Sequence, residues 1–165
     1  MNSKHVMPLK RRRLMKTDYS KRLAFVKSGI PRAIIRRSLK HSLVNIAEFN
    51  ETGDKILVHG STIELKKFGW TSPTGNTPAA YLAGYLAGIR AKKKGIDRVI
   101  IDLGVQKVVK GSRILSCVKG LRDAGLSIPF EDGLFPDESR ILGKHLKTVE
   151  TEKVEQVKKL MEESL

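Results

Sequence analysis

The sequence predicts an α+β fold: a three-stranded antiparallel meander extended by a later strand, with the main helices packed on one sheet face and a flexible basic arm in front. Three observations predict it. Runs rich in β-branched residues recur at Arg32–Ser38, Leu43–Phe49 and Lys55–His59, joined by short links. One long helical stretch follows, from Thr77 to about Lys94. A continuous apolar strand, Arg98–Leu103, and an amphipathic helix from Ser112 to about Ala124 complete the pattern.

In chain order, residues 1–30 show no regular apolar period, and only Arg22–Val26 suggests a turn or two of helix. Alone, such a segment buries too little surface to offset its ordering entropy, so an extended or disordered arm is expected. Ser28-Gly29-Ile30-Pro31 breaks the chain before the first strand. Leu39–Ser42 is a hairpin-sized link, and Asn50–Asp54 has turn chemistry, with Gly53 free to take positive φ. Ser61-Thr62-Ile63-Glu64 has the form of a capping box, and a short helix to about Phe68 is expected behind it.

In the long helix, Thr77 is expected as N-cap, Pro78 as first residue and Gly95 as stop. Ala80, Gly84, Gly88 and Ala91 make one face small. Interior glycines cost about 1 kcal/mol each against alanine. That cost is reasonable if another backbone lies against the face. Pro136–Ser139 can start a short helix, and the tail from Thr148 is helix-prone, with a thin stripe of Val154, Val157 and Met161. Three parts result: a basic arm (1–30), an α+β domain (31–147) and a helical tail (148–165).

Charge divides the chain unevenly. Residues 4–40 hold thirteen Lys or Arg against one acid, Asp18, and so carry +12 of the chain's +15. A strongly basic segment on a nearly balanced body points to a polyanionic partner, nucleic acid first and an anionic membrane second. A membrane-surface reading needs a basic amphipathic helix, which residues 1–30 do not show. The single cysteine, Cys117, precludes an intrachain disulfide and suits a reducing compartment. No secretory signal is visible, and the run Ala79–Ile89 is about half the ~20 residues of a membrane span. A cytoplasmic protein is expected, with no membrane and no small-molecule substrate.

Strand order β-β-β-α-β invites comparison with ribonuclease H-like nucleases, which would make this a metal-dependent RNA-processing enzyme. That chemistry needs converging carboxylates, one of them on the first strand. The first strand has Arg32, Arg36 and Arg37 and no acid, while Asp102 and Glu64 read as strand-end and capping carboxylates. No Walker pattern exists, and the four histidines share no metal-ligand spacing with each other or with Cys117. No enzyme activity, cofactor or metal is expected. Two helix starts remain open between plain capping and phosphate binding: Ser112, with Lys107, Lys110 and Arg113 nearby, and Gly75-Asn76-Thr77. Arg36, Arg37, Lys40 and His41 cluster on the first strand and its hairpin. Alternation sends Arg36 and Arg37 to opposite faces, and arginine suits bidentate phosphate contact.

Several runs are specific together. Arg11-Arg12-Arg13, Thr17-Asp18-Tyr19, Lys27-Ser28-Gly29-x-Pro31-Arg32, Gly69-Trp70, Pro73–Leu82 with Gly84, Ile101-Asp102-Leu103-Gly104 and Asp123–Leu126 with Ile128-Pro129 resemble the archaeal branch of the ribosomal protein L-eighteen family, counterpart of eukaryotic ribosomal protein L-five. The resemblance spans about residues 8–145. It implies a structural protein of the large ribosomal subunit that binds 5S rRNA, touches large-subunit rRNA and anchors the 5S particle in the central protuberance beside neighbouring ribosomal proteins. Carried over, the RNA-contacting arm falls on Lys10, Arg11, Arg12, Arg13, Lys16, Tyr19, Lys21 and Arg22. The RNA-facing strand and hairpin fall on Arg32, Arg36, Arg37, Lys40 and His41, and the loop before the long helix on Trp70, Thr74 and Asn76. Lys110 and Arg113 join this set through the helix start at Ser112.

Overall fold

Four strands form one mixed sheet in the computed structural model, which describes residues 7–146 and 151–164. They are β1 (Arg32–Arg37), β2 (Ser42–Glu48), β3 (Lys55–Ser61) and β4 (Ile100–Asp102), in spatial order β3-β2-β1-β4. β1–β2 and β2–β3 pair antiparallel, and β4 adds parallel to β1. The expected meander and its later strand are both present. Lys4 and His5 of the arm, and residues 147–150 at the expected start of the tail, lie outside the described residues.

Two helices cover one face of the sheet: α3 (Thr77–Lys93) and α4 (Arg113–Asp123). Ala33 and Ile35 of β1, Val44 and Ile46 of β2 and Val58 of β3 point into a core shared with Ala80, Ala87, Leu115, Val118 and Leu121. A second core lies elsewhere around α3, where Tyr81, Leu82, Tyr85 and Leu86 meet Leu65, Trp70 and Ile141. The C-terminal helix α6 (Thr151–Ser164) closes it with the predicted stripe of Val154, Val157 and Met161, each 2% exposed or less. Every residue from Thr77 to Gly88 is therefore buried. A helix enclosed this way is apolar all round, which is why it lacks a polar face.

The small face of α3 meets α4 backbone to backbone. A Cβ on Gly84 would lie 2.1 Å from the Cys117 carbonyl oxygen, and one on Gly120 would lie 2.2 Å from that of Tyr81. Each helix places a glycine where the other's main chain passes.

Several boundaries differ from the expectations, each for a local reason. The capping box at Ser61 does not form: Ser61 ends β3, its Oγ accepts from Ile63 N, and a 3-10 turn over Glu64–Phe68 follows. Glu64 is held instead by Arg90 at 2.8 Å, with His59 Nε2 at 3.2 Å. Helix α3 starts one residue early, because Asn76, not Thr77, caps it: Asn76 Oδ1 accepts from Ala79 N at 2.9 Å. β4 is shorter than Arg98–Leu103, since Arg98 bridges Ser127 and Val99 N bonds the Ser127 carbonyl. The short helix after Pro136 is α5 (Glu138–Ile141).

The described part of the arm is more helical than expected. It forms α1 (Lys10–Arg13) and α2 (Tyr19–Lys27), and α2 contains the turns of helix expected at Arg22–Val26. Asp18, the one acid of the basic stretch, caps α2 by accepting from Ser20 N and Lys21 N. No residue of either helix is fully buried, but Arg22, Phe25 and Val26 are half-buried.

Candidate nucleic-acid interface

The sheet face opposite α3 and α4 carries the alternate residues of β1: Arg32, Ile34 and Arg36. Two of these are joined to the arm by a chain of ion pairs. Arg22 meets Asp54 at 3.2 Å, Asp54 meets Arg32 at 2.7 Å, Arg32 meets Asp102 at 3.4 Å, and Asp102 meets Arg36 at 3.2 Å. Asp102 is further engaged by Gly104 N at 2.8 Å, and its own carbonyl accepts from Arg36 Nη1 at 2.8 Å. Between arm and sheet lies a cleft of about 120 Å³ lined by six cations (Arg11, Lys16, Lys21, Arg22, Arg32 and Arg36) and two acids, Asp18 and Asp102.

The cations predicted from the sequence divide into three kinds. Lys10, Arg11, Arg12, Arg13, Lys16, Lys21, Arg37, Lys40 and Lys110 are exposed, although Arg11 Nε donates to Thr17 Oγ1 at 2.9 Å and Lys21 lies 4.0 Å from the Asp18 carboxylate. Arg22 and Arg36 are half-exposed and already share carboxylates. Arg32 is 2% exposed and is held inside the fold by Asp54 and Asp102. Tyr19 is half-buried at the start of α2.

The remaining predicted residues converge on one end of the sheet, around the β1–β2 hairpin. Arg113 Nη1 donates to the carbonyls of Gly75 and Leu39, and Nη2 to that of Ser38. Thr74 Oγ1 donates to the Lys40 carbonyl at 3.0 Å and contacts His41 Nδ1 at 3.0 Å. A hydroxyl has one proton, so with Lys40 as its acceptor it accepts from His41 Nδ1–H, leaving His41 Nε2 as an acceptor in the neutral ring. Trp70 is 2% exposed and donates to the Pro73 carbonyl, bracing the loop before α3. Ser112 occupies the N-cap position of α4 without a side-chain capping bond. Thus Thr74 and Arg113 brace the hairpin at this end of the sheet, Trp70 and Asn76 fix the loop and helix start behind it, and Arg37, Lys40 and Lys110 are exposed.

Two contributors were not read from the sequence. Asp54 looked like part of a turn but is the carboxylate shared by Arg22 and Arg32. No local signal marks it, because both partners are distant in sequence. Asp18, in contrast, had a legible signal as a capping residue two positions before Ser20.

The two carboxylates that the nuclease alternative would use do not converge. Asp102 lies on β4, at one edge of the sheet, and Glu64 follows β3, at the other. Each is neutralised by arginine. Among the described residues no group of three or more His, Cys, Asp or Glu side chains is placed to hold a metal ion. None of the described helices is long and apolar enough to cross a membrane.

Fold and charge together define a cationic α+β protein, a near-neutral scaffold that presents a basic arm and a basic strand and hairpin. Residues 3–99 match the family described as ribosomal large subunit proteins 60S L5, and 50S L18. A large ribosomal subunit protein uL18 from Korarchaeum cryptofilum is 42% identical over 145 residues, covering 88% of this chain and 74% of the relative. The protein of that name from Thermofilum pendens is 42% identical over 144 residues, covering 87% and 74%. That from Methanoregula boonei is 39% identical over 143 residues, covering 87% and 82%. The chain belongs to this family of large-subunit ribosomal proteins, which are structural rather than enzymatic.

Proposed function

We propose that this protein binds 5S rRNA as a constituent of the large ribosomal subunit, contacts large-subunit rRNA, and attaches the 5S particle at the central protuberance beside neighbouring ribosomal proteins. Family membership and the relatives' name, large ribosomal subunit protein uL18, support the ribosomal setting. The observation that carries the RNA reading is the placement of cations: six line one cleft between arm and sheet, and Arg37 and Lys40 stand exposed on the adjoining hairpin.

The parts divide the work. Arm residues Lys10–Arg13, Lys16 and Lys21, with Tyr19 among them, meet phosphates and release counterions, supplying affinity. Arg36, Arg37, Lys40, His41 and Lys110 are set by the folded domain and supply register. Arg32, Trp70, Thr74, Asn76 and Arg113 hold that surface in shape. Because base edges are hidden in the deep major groove of A-form RNA, recognition goes by shape and by unpaired segments.

The test is binding of 5S rRNA against an unrelated structured RNA of equal length at physiological salt. The expected result is clear preference for 5S rRNA, with a log–log salt slope of about −6 to −7 if about eight phosphates are engaged. Arg36→Ala combined with Arg37→Ala weakens 5S binding with the arm intact. Equal affinity for the two RNAs would overturn the 5S assignment.

A further inference from the structure

The β1–β2 hairpin carries Leu39, which at 93% exposed is the most exposed large apolar side chain among the described residues. A lone exposed leucine needs no explanation. Its setting does. Arg113 bonds the carbonyls of Ser38 and Leu39 and ties them to Gly75. Thr74 bonds the next carbonyl, that of Lys40. The hairpin's own backbone closes it further, with Ser38 N donating to the His41 carbonyl at 2.8 Å. Gly75 sits so close beneath that a Cβ there would lie 2.9 Å from the Leu39 carbonyl oxygen.

A hairpin that only joins two strands can leave its tip carbonyls to water. Here three consecutive carbonyls are fixed by side chains from distant segments, although Ser38, Leu39 and Lys40 are all exposed. Fixing backbone costs conformational entropy. No burial at the tip offsets that cost, so rigidity here serves presentation.

Charge indicates what is presented to. Arg37 and Lys40 flank Leu39, both exposed, and β1, the hairpin and β2 contain no acid before Glu48. An apolar side chain between two cations fits a nucleobase between two phosphates. A protein surface would have to supply acids around an apolar centre. In duplex RNA base faces are stacked and closed off, whereas unpaired loop bases can be splayed out and packed against side chains.

We propose that Leu39 is a reading contact for an unpaired nucleotide: its side chain lies against one unstacked base, with Arg37 and Lys40 on the flanking phosphates. This rests on the rRNA-binding reading above and names a contact within it.

The experiment uses the full chain and 5S rRNA over a range of salt concentrations, with chemical probing of unpaired nucleotides. Leu39→Ala is expected to lower affinity about tenfold at every salt, about what is lost when half of a buried leucine side chain no longer packs against the base. Its salt slope stays that of the native protein, because no charge is removed. Lys40→Ala instead shrinks the slope by about 0.7–0.9. In the Leu39→Ala complex, one protected unpaired nucleotide becomes reactive while the rest of the footprint persists. Native affinity and footprint for Leu39→Ala would overturn the proposal, and that is the result expected were the tip a protein-docking surface. Native protein that shows no preference for 5S rRNA would remove the underlying reading instead.

Discussion

Arg32 sits between two carboxylates, Asp54 at 2.7 Å and Asp102 at 3.4 Å, and is almost wholly withdrawn from water. Its neighbour in kind, Arg37, is exposed at the end of the same strand. The two arginines should behave oppositely. Removing one partner of a buried ion pair leaves desolvated charge behind, and such losses run to about 3–5 kcal/mol. Asp54 keeps Arg22 and Asp102 keeps Arg36, so Arg32→Ala is expected to lower unfolding free energy by less, about 2–3 kcal/mol, read from urea denaturation. Arg37→Ala should leave stability within about 0.5 kcal/mol and lower RNA affinity instead. If Arg32→Ala unfolds like the native protein, the ion-pair chain from arm to sheet contributes nothing to the fold. Position along one strand, not residue type, separates the two roles.

Among the elements, α3 and α4 meet through glycine. In an isolated helix, replacing Gly84 by alanine would be favourable by about 1 kcal/mol. Here the new methyl would lie 2.1 Å from the Cys117 carbonyl oxygen and 2.8 Å from its carbonyl carbon. Main chain cannot swing aside as a side-chain end can, so the helices must separate and repack. Overpacking of this kind costs about 1–3 kcal/mol. Gly84→Ala is expected to lower the thermal midpoint, at about 2–4 °C per kcal/mol for a chain of this size. A midpoint equal to or above the native value would mean that the contact has slack. The sequence made this close approach legible, because two glycines in a helix interior have a cost that only proximity explains. It did not reveal the reciprocal Gly120, which needs the partner helix in place.

For the whole molecule, burial of ionisable groups in the layers around α3 sets an alkaline limit. Burial pushes the Cys117 thiol from its ordinary 9.0 up to about 12. The Tyr81 hydroxyl is raised by burial and by its neighbour Asp123, to which it donates at 3.0 Å. The Tyr85 hydroxyl is raised by burial and by its hydrogen bond to Glu162 of α6. A raised folded value means that the unfolded chain loses the proton first. Their contribution to stability is thus complete below about pH 9 and declines above it as the unfolded state ionises. The thiol alone contributes a slope of up to about 1.4 kcal/mol per pH unit between its two values. Urea midpoints are expected to fall from pH 8 to pH 10.5, and to fall less in Cys117→Ala. An identical decline in that variant would assign the effect to the tyrosines alone.

By itself the sequence determined the α+β class, the order of strands and helices, the concentration of charge at residues 4–40 and the small face of α3. These rest on short-range physics: β-branched runs, turn residues, glycine spacing and like charge close along the chain. Tertiary structure decided what the charges do. It withdrew Arg32 into the fold through Asp54 and Asp102 and turned Arg113 into a support for the hairpin. It also placed Leu39 at a fixed tip, where the sequence showed only a residue in a link. The reason is that an ion pair or a backbone contact depends on partners tens of residues away, and no local pattern records where the fold will bring them.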